Sequence, residues 1–205
     1  MELSKRISSL KPSPTVALNG KAKEIAASGT KVFNFAVGEP DFSTPDIVVG
    51  EAIKSLQNGR TKYGPAGGGL PLRKAICRKL QRDNQLDYTP EQVVVGIGAK
   101  EILFHIFLAT LNEGDEVILP APYWVSYTSQ IEAAGAKAVI IPMPTDITAM
   151  TLTPEMIEPY WSEKTRAIVL TSPNNPGGYV LDKSSLESLG RYLEDKSAWI
   201  VSDEI

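Results

Sequence analysis

Histidine and cysteine are almost missing from this chain of 205 residues, which holds one of each, His105 and Cys77. A lone cysteine excludes an internal disulfide framework and suits a reducing compartment. A single histidine excludes metal centres built on His and Cys clusters, and any Ser-His-Asp triad away from His105. Long hydrophobic runs are missing as well. No stretch reaches the roughly 18 apolar residues of a membrane span, and the opening MELSKRISSLKPSP lacks the apolar core of a secretory signal. Nor is there an excess of positive charge: 21 Lys and Arg stand against 24 Asp and Glu, a formal net charge of -3. That balance gives no electrostatic reason to expect nucleic acid or an anionic membrane as partner. These absences point to a soluble cytoplasmic protein.

What is present has the make-up of a globular protein, with 42% hydrophobic and 22% charged residues. The length suits one domain, or one and part of a second. Residues 1–44 read as an irregular arm, with Pro12, Pro14, Pro40, an Asn19-Gly20 turn signal and a short helix near Lys21–Ala27. From Thr44 the pattern becomes regular. Thr44 with Pro45 reads as a helix start, Val48, Ala52 and Leu56 share a face, and Gly59 stops it. Leu72, Ile76 and Leu80 mark a second helix after a glycine-rich segment at 63–69.

Strand-like runs then recur at Val93–Val95, Val117–Leu119, Lys137–Ile141, Ala167–Leu170 and Trp199–Val201. Helical stretches at Ala99–Leu111, Tyr123–Ala134 and Ser184–Glu194 lie between most of them. Apolar runs of this kind suit strands covered on both faces, and their alternation with helices predicts an open, mostly parallel α/β sheet in three layers. The expected division is an arm and small-domain portion at 1–44 and a large domain at 45–205. The final run WIVSDEI closes on two carboxylates without a polar tail, as expected of a chain cut from a longer protein.

In such a sheet, ligands bind beyond the carboxyl ends of the strands. Those ends carry Gly96-Ile97-Gly98-Ala99-Lys100, then Pro120-Ala121-Pro122-Tyr123-Trp124, then Ser172 to Gly178, and finally Asp203. The amides of Gly98, Ala99 and Lys100 open a helix and can hold a phosphate. Trp124 can stack on an aromatic ring. Asn175 can donate to a ring hydroxyl, and Asp203 can keep a pyridine nitrogen protonated. The set suits a flat, phosphorylated, nitrogenous cofactor.

Plainer readings exist for each residue. Gly98 can simply permit a tight turn, a lone Trp is more often core, and Asn174-Asn175-Pro176-Gly177 can be turn chemistry alone. Asp203 can end a strand, and His105, following Phe104 in a helix with Ile102 and Phe107, reads as packed rather than catalytic. Gly96-x-Gly98 also opens a dinucleotide fingerprint, but Glu101 stands at its third glycine position.

FAVGEPDFSTP at 35–45, TKYGPAGGGLPLR at 61–73, PYWVSY at 122–127, SPNNPGG at 172–178 and VSDEI at 201–205 occur in one order and spacing over nearly the whole chain. Together they resemble the class I, fold-type I aminotransferases, and within them the bacterial aspartate and aspartate-prephenate branch. The resemblance implies pyridoxal 5'-phosphate as cofactor and transamination between aspartate or glutamate and a 2-oxo acid. It implies that Gly38 meets the substrate through its backbone, and that Trp124 stacks on the cofactor near the substrate carboxylate. Asn175 would bond the cofactor hydroxyl and substrate, Gly98, Ala99 and Lys100 the phosphate, and Asp203 the ring nitrogen. Tyr63 would reach the phosphate of a neighbouring subunit, which implies a homodimer. Lys11 would recognise the distal carboxylate of acidic substrates.

Two departures stand out. The family's Pro-Thr-Gly is Pro176-Gly177-Gly178 here, one hydroxyl fewer. And no lysine of the 205 residues matches the one that would hold the cofactor covalently; Lys100 sits at the phosphate turn. The isolated chain is therefore expected to be inactive. The alternatives are a non-catalytic remnant that keeps the fold, and a nicotinamide-dependent enzyme.

Overall fold

The computed structural model describes residues 2–8, 10, 14–35, 38, 40–143 and 151–205. The chain forms two compact units, one of Met1–Ala17 with Leu103–Ile205 and one of Leu18–Ile102. Helices α1 (Lys5–Ser8), α2 (Pro14–Ala27), α3 (Asp46–Gln57) and α4 (Leu70–Asn84) come first, then a short 3-10 turn at Pro90–Gln92. Helix α5 (Ala99–Thr110) leads into β1 (Glu116–Pro120), α6 (Ser126–Ala133) and β2 (Lys137–Ile141). Helix α7 (Pro154–Ile157), a second 3-10 turn, β3 (Thr165–Thr171), α8 (Lys183–Glu194) and β4 (Trp199–Asp203) complete the order.

In the first unit the four strands form one parallel sheet in the order β2-β1-β3-β4. Alternate side chains of each strand face opposite sides, and both sides of the central strands β1 and β3 are covered. Val117, Leu119, Ala167, Val169 and Val201 pack with Leu103 and Phe107 of α5 and with Tyr127 and Ile131 of α6. Ile118, Ile168 and Leu170 pack with Ile157 of α7 and with Leu189 and Leu193 of α8. Three layers follow directly from strands such as Val117-Ile118-Leu119, which are apolar at every position. The expected open, parallel α/β architecture is what the chain adopts.

Four of the five expected strands are present, matched in full or extended by two or three residues. The fifth, Val93–Val95, is not a strand. Its backbone closes the 3-10 turn through Val93 N to Pro90 O (3.3 Å), and Val95 N donates to Gly67 O (3.1 Å). Single bonds of this kind do not make a ladder, and among the described residues no strand lies beside it. Local β-propensity needs a partner to become a sheet.

Helix α2 runs from Pro14 into the second unit, so Asn19-Gly20 lies within a helix rather than in a turn. Gly20 costs that helix about 1 kcal/mol relative to alanine, a cost that Ala17, Leu18, Lys21 and Ala22 around it offset. Helix α3 starts one residue later than the sequence suggests, with Pro45 at the cap in extended geometry (φ -55°, ψ 138°). Gly59 ends it at φ +72°, a conformation that favours glycine.

Candidate functional site

The order of the strands creates a crevice at one place. From β1 the chain leaves through α6 on one face of the sheet, and from β3 it leaves through α8 on the other. The loops after β1 and β3 therefore part at the carboxyl ends of two adjacent strands, where open α/β sheets bind ligands. The first loop carries Trp124 and the second carries Asn175. At the end of β4, next to Thr171 in register, stands Asp203.

These loops are stitched together by side chains and backbone. Asn174, 8% exposed, donates from Nδ2 to Pro122 O (3.0 Å) and accepts from Gly177 N on Oδ1 (2.9 Å). Its backbone N–H donates to Tyr179 O (2.8 Å), and Gly178 N donates back to Asn174 O (2.8 Å). Ser172 N donates to Asp203 O (3.2 Å), which ties the end of β3 to that of β4. Asn174 is thus the structural member of the pair, and its neighbour Asn175 is left exposed with no hydrogen bond among the described residues. The turn-chemistry reading fits the first asparagine. It does not account for the second.

Gly177 explains how the loop accommodates its departure from Pro-Thr-Gly. A Cβ there would lie 2.7 Å from Tyr179 Cδ1 and 2.8 Å from Asn174 Oδ1, closer than real Cβ contacts allow. Tyr179 fills the space, with its ring buried and its phenol 3.4 Å from Pro122 O. Burial pushes that phenol up to about 12. Below it, Leu119, Tyr127, Thr171 and Asn174 help to enclose a cavity of about 10 Å³, room for one water.

One buried ring joins the two residues expected to face a cofactor. Tyr127, in the first turn of α6, is fully buried. Trp124 meets it edge-on, with ring centroids 5.4 Å apart and planes at 83°. Its phenol donates to Asp203 Oδ2 and lies 2.9 Å from Thr171 Oγ1. Burial first, and then the Asp203 carboxylate, raise this phenol well above the ordinary tyrosine range, so it stays a donor. Asp203 itself is half-buried, and Oδ1 takes no hydrogen bond among the described residues.

Tyr127 and Thr171 join the site beyond the residues expected of it, and Asn174, expected as turn chemistry, holds its loops together. Trp124 lies before the first residue of α6, so no helical spacing links it to Tyr127, and nothing in the sequence marks Thr171.

In the second unit, Gly98 adopts φ +82° with open space where a Cβ would be, and α5 starts at the next residue. Ala99 and Lys100 are exposed in its first turn. Ile97 N donates to the Glu101 carboxylate, an acidic cap on the same helix. Tyr63 is fully exposed at 107%, and Gly38 is exposed. Lys11 lies outside the described residues. The structure thus brings Trp124, Asn175 and Asp203 to one edge of the sheet, and places Gly98, Ala99, Lys100, Tyr63 and Gly38 in the other unit.

The model of the aminotransferase class I and II family matches residues 30–205. The chain belongs to that family. An aspartate aminotransferase of Bacillus sp. (strain YM-2) is 44% identical over 99% of this chain and 52% of its own length. The aspartate/prephenate aminotransferase of Cereibacter sphaeroides is 43% identical over 99% of this chain and 51% of its own. Among solved structures, the aspartate aminotransferase of Thermus thermophilus with maleate superposes with a TM-score of 0.95 at 41% identity, over the whole of this chain and 53% of that one. The chain spans about half the length of the curated relatives it matches. Among the described residues, no helix is long and apolar enough to cross a membrane.

Proposed function

We propose that this chain carries the cofactor-facing half of a pyridoxal 5'-phosphate-dependent aminotransferase. In the intact protein it would act in the cytoplasm on aspartate or glutamate with 2-oxoglutarate or oxaloacetate, and prephenate as a further acceptor. The observation that carries this reading is that the loops bearing Trp124 and Asn175 and the strand end bearing Asp203 lie at the carboxyl edge of β1, β3 and β4, in a chain whose relatives are aspartate and aspartate/prephenate aminotransferases.

The residues suit that cofactor. A half-buried carboxylate with one oxygen held and the other open fits a protonated ring nitrogen, and the indole of Trp124 fits a flat ring. When bound, pyridoxal phosphate supplies the electron sink for moving an amino group. Around it, Asn175 donates to the ring hydroxyl and the substrate, and the turn at Gly98, Ala99 and Lys100 offers amides to the phosphate. Gly38 offers its backbone to the substrate, and Lys11 meets the distal carboxylate. Tyr63 serves the phosphate of a second subunit in a homodimer. Residues 1–44 supply an arm and part of a small domain, and 45–205 the cofactor-binding domain. The lysine for covalent attachment is not among these 205 residues.

Titrating the 205-residue chain with pyridoxal phosphate tests this reading. Saturable quenching of tryptophan fluorescence is expected, reduced by Trp124→Phe, and Asp203→Ala weakens affinity by about tenfold or more, the worth of a charged hydrogen bond. Aspartate with 2-oxoglutarate yields no product from this chain alone. Saturable binding of a nicotinamide dinucleotide, with none of pyridoxal phosphate, replaces this reading by the nicotinamide one.

A further inference from the structure

We infer that Tyr127 is a positioning residue: its phenol anchors one oxygen of Asp203 so that the other is presented to the ring nitrogen of the cofactor. This rests on the reading of Asp203 as the partner of that nitrogen. A phenol has one proton to give and two lone pairs to accept with. In this structure the proton goes to Asp203 Oδ2, and Thr171 Oγ1, at 2.9 Å, supplies the second contact. With the phenol proton committed to the carboxylate, the Thr171 hydroxyl is the donor in that pair.

The anchoring matters because the terminal torsion of an aspartate is broad and roughly two-fold. An unanchored carboxylate at the open end of β4 would rotate freely. Tyr127 removes that freedom from a rigid base. Its ring is fully buried in the first turn of α6, among Phe107, Leu119, Ile131 and Ala167. Thr171 and Asp203 are paired residues at the ends of β3 and β4, so the phenol spans both strand ends. The same ring supports Trp124 edge-on at 5.4 Å. One side chain therefore sets both the indole plane and the carboxylate. Core packing alone does not require the hydroxyl, since phenylalanine would fill the same space.

The test compares two probes on the full chain by calorimetry: pyridoxal 5'-phosphate, and its analogue with a carbon in place of the ring nitrogen. The unsubstituted chain should prefer the nitrogen-containing ring by about ten- to a hundredfold, as a charged hydrogen bond would give. Tyr127→Phe should cut that preference to under about threefold while the carbon analogue binds as before. Thr171→Val, which leaves the phenol-to-carboxylate bond in place, should keep the preference. If Tyr127→Phe weakens both probes alike and the preference survives, Tyr127 only packs, and the inference is overturned. Should Tyr127→Phe not fold, a fluorinated tyrosine at 127 keeps the shape and changes only the phenol acidity; an unchanged preference then overturns it. The underlying reading fails separately, if the unsubstituted chain binds neither probe, shows no preference, or keeps its preference in Asp203→Ala.

Discussion

The two units use the same kinds of residue to opposite effect. Every buried side chain among the described residues lies from Leu103 onward, where helices α5 to α8 close on a sheet. Between Leu18 and Ile102, α3 and α4 carry apolar stripes that are at most half covered: Ile47, Val48, Leu56 and Leu72 are exposed, and Ile76 and Leu80 of α4 are half-buried. An amphipathic stripe is enough to specify a helix, but its burial needs an opposing surface, and most helical stability in proteins comes from that burial. In the first unit, continuous apolar strands provide the surface. Among the described residues of the second, no side chain is more than half-buried.

Hydrogen exchange gives the most direct way to break this contrast. Amides of β1 and β3 should exchange near the global limit, and those of α3 and α4 on the order of a thousandfold faster, as local openings do where few apolar contacts resist them. Equal protection in the two units would mean that the helices of the second are held by something other than their own packing. A pair of truncations sharpens the same point energetically. Phe107→Ala, at a fully buried position, should cost about 3–5 kcal/mol in chemical unfolding. Ile97→Ala, 89% exposed, should stay within about 0.5 kcal/mol. A large cost at Ile97 would count against the contrast.

The same division decided what could be read from the amino acids. The sheet was legible because Val117-Ile118-Leu119 and Ala167–Leu170 are apolar at consecutive positions, a pattern that suits a doubly covered strand. Val93–Val95 has that pattern too, yet forms no strand. Strand propensity describes a residue's fit to a pleated surface and does not supply the neighbouring strand. At the candidate site, Trp124 and Asp203 were found from strand ends and a family resemblance. Tyr127 was not, because its role comes from a phenol meeting a carboxylate 76 residues along the chain. Asn174 and Asn175 are indistinguishable as sequence. Only the fold gives the first to the Pro122 carbonyl and leaves the second at the surface.

The smallest effect sits at single helix starts, one in each unit. Helix α8 begins at Asp182, which accepts from Ser185 N (2.8 Å) and Ser185 Oγ (2.8 Å) and, more distantly, from Thr151 Oγ1 (3.4 Å). In α3 and α4 the cap positions are Pro45 and Gly69, with no side-chain cap bond. The Ser184 hydroxyl, then the backbone and hydroxyl of Ser185, hold the Asp182 carboxyl well below the usual carboxylate range. A carboxyl lowered on folding contributes stability above its unfolded value, about 3.9, and loses it as pH falls through the lower folded value. Asp182→Ala should therefore lower Tm by a few degrees at neutral pH, and the difference should shrink steadily below about pH 4. Asp182→Asn, which keeps an acceptor but no charge, should lose less. Gly69→Ser adds a cap to α4, where the backbone is already extended (φ -61°, ψ 134°) and the nearest atom to a new Cβ is 3.9 Å away. It should slow exchange in α4 and leave the main unfolding transition where it was, because a cap stabilises the helix that carries it and α4 is not part of the buried core. A rise in global Tm with Gly69→Ser would join the two units into one cooperative structure and end the comparison.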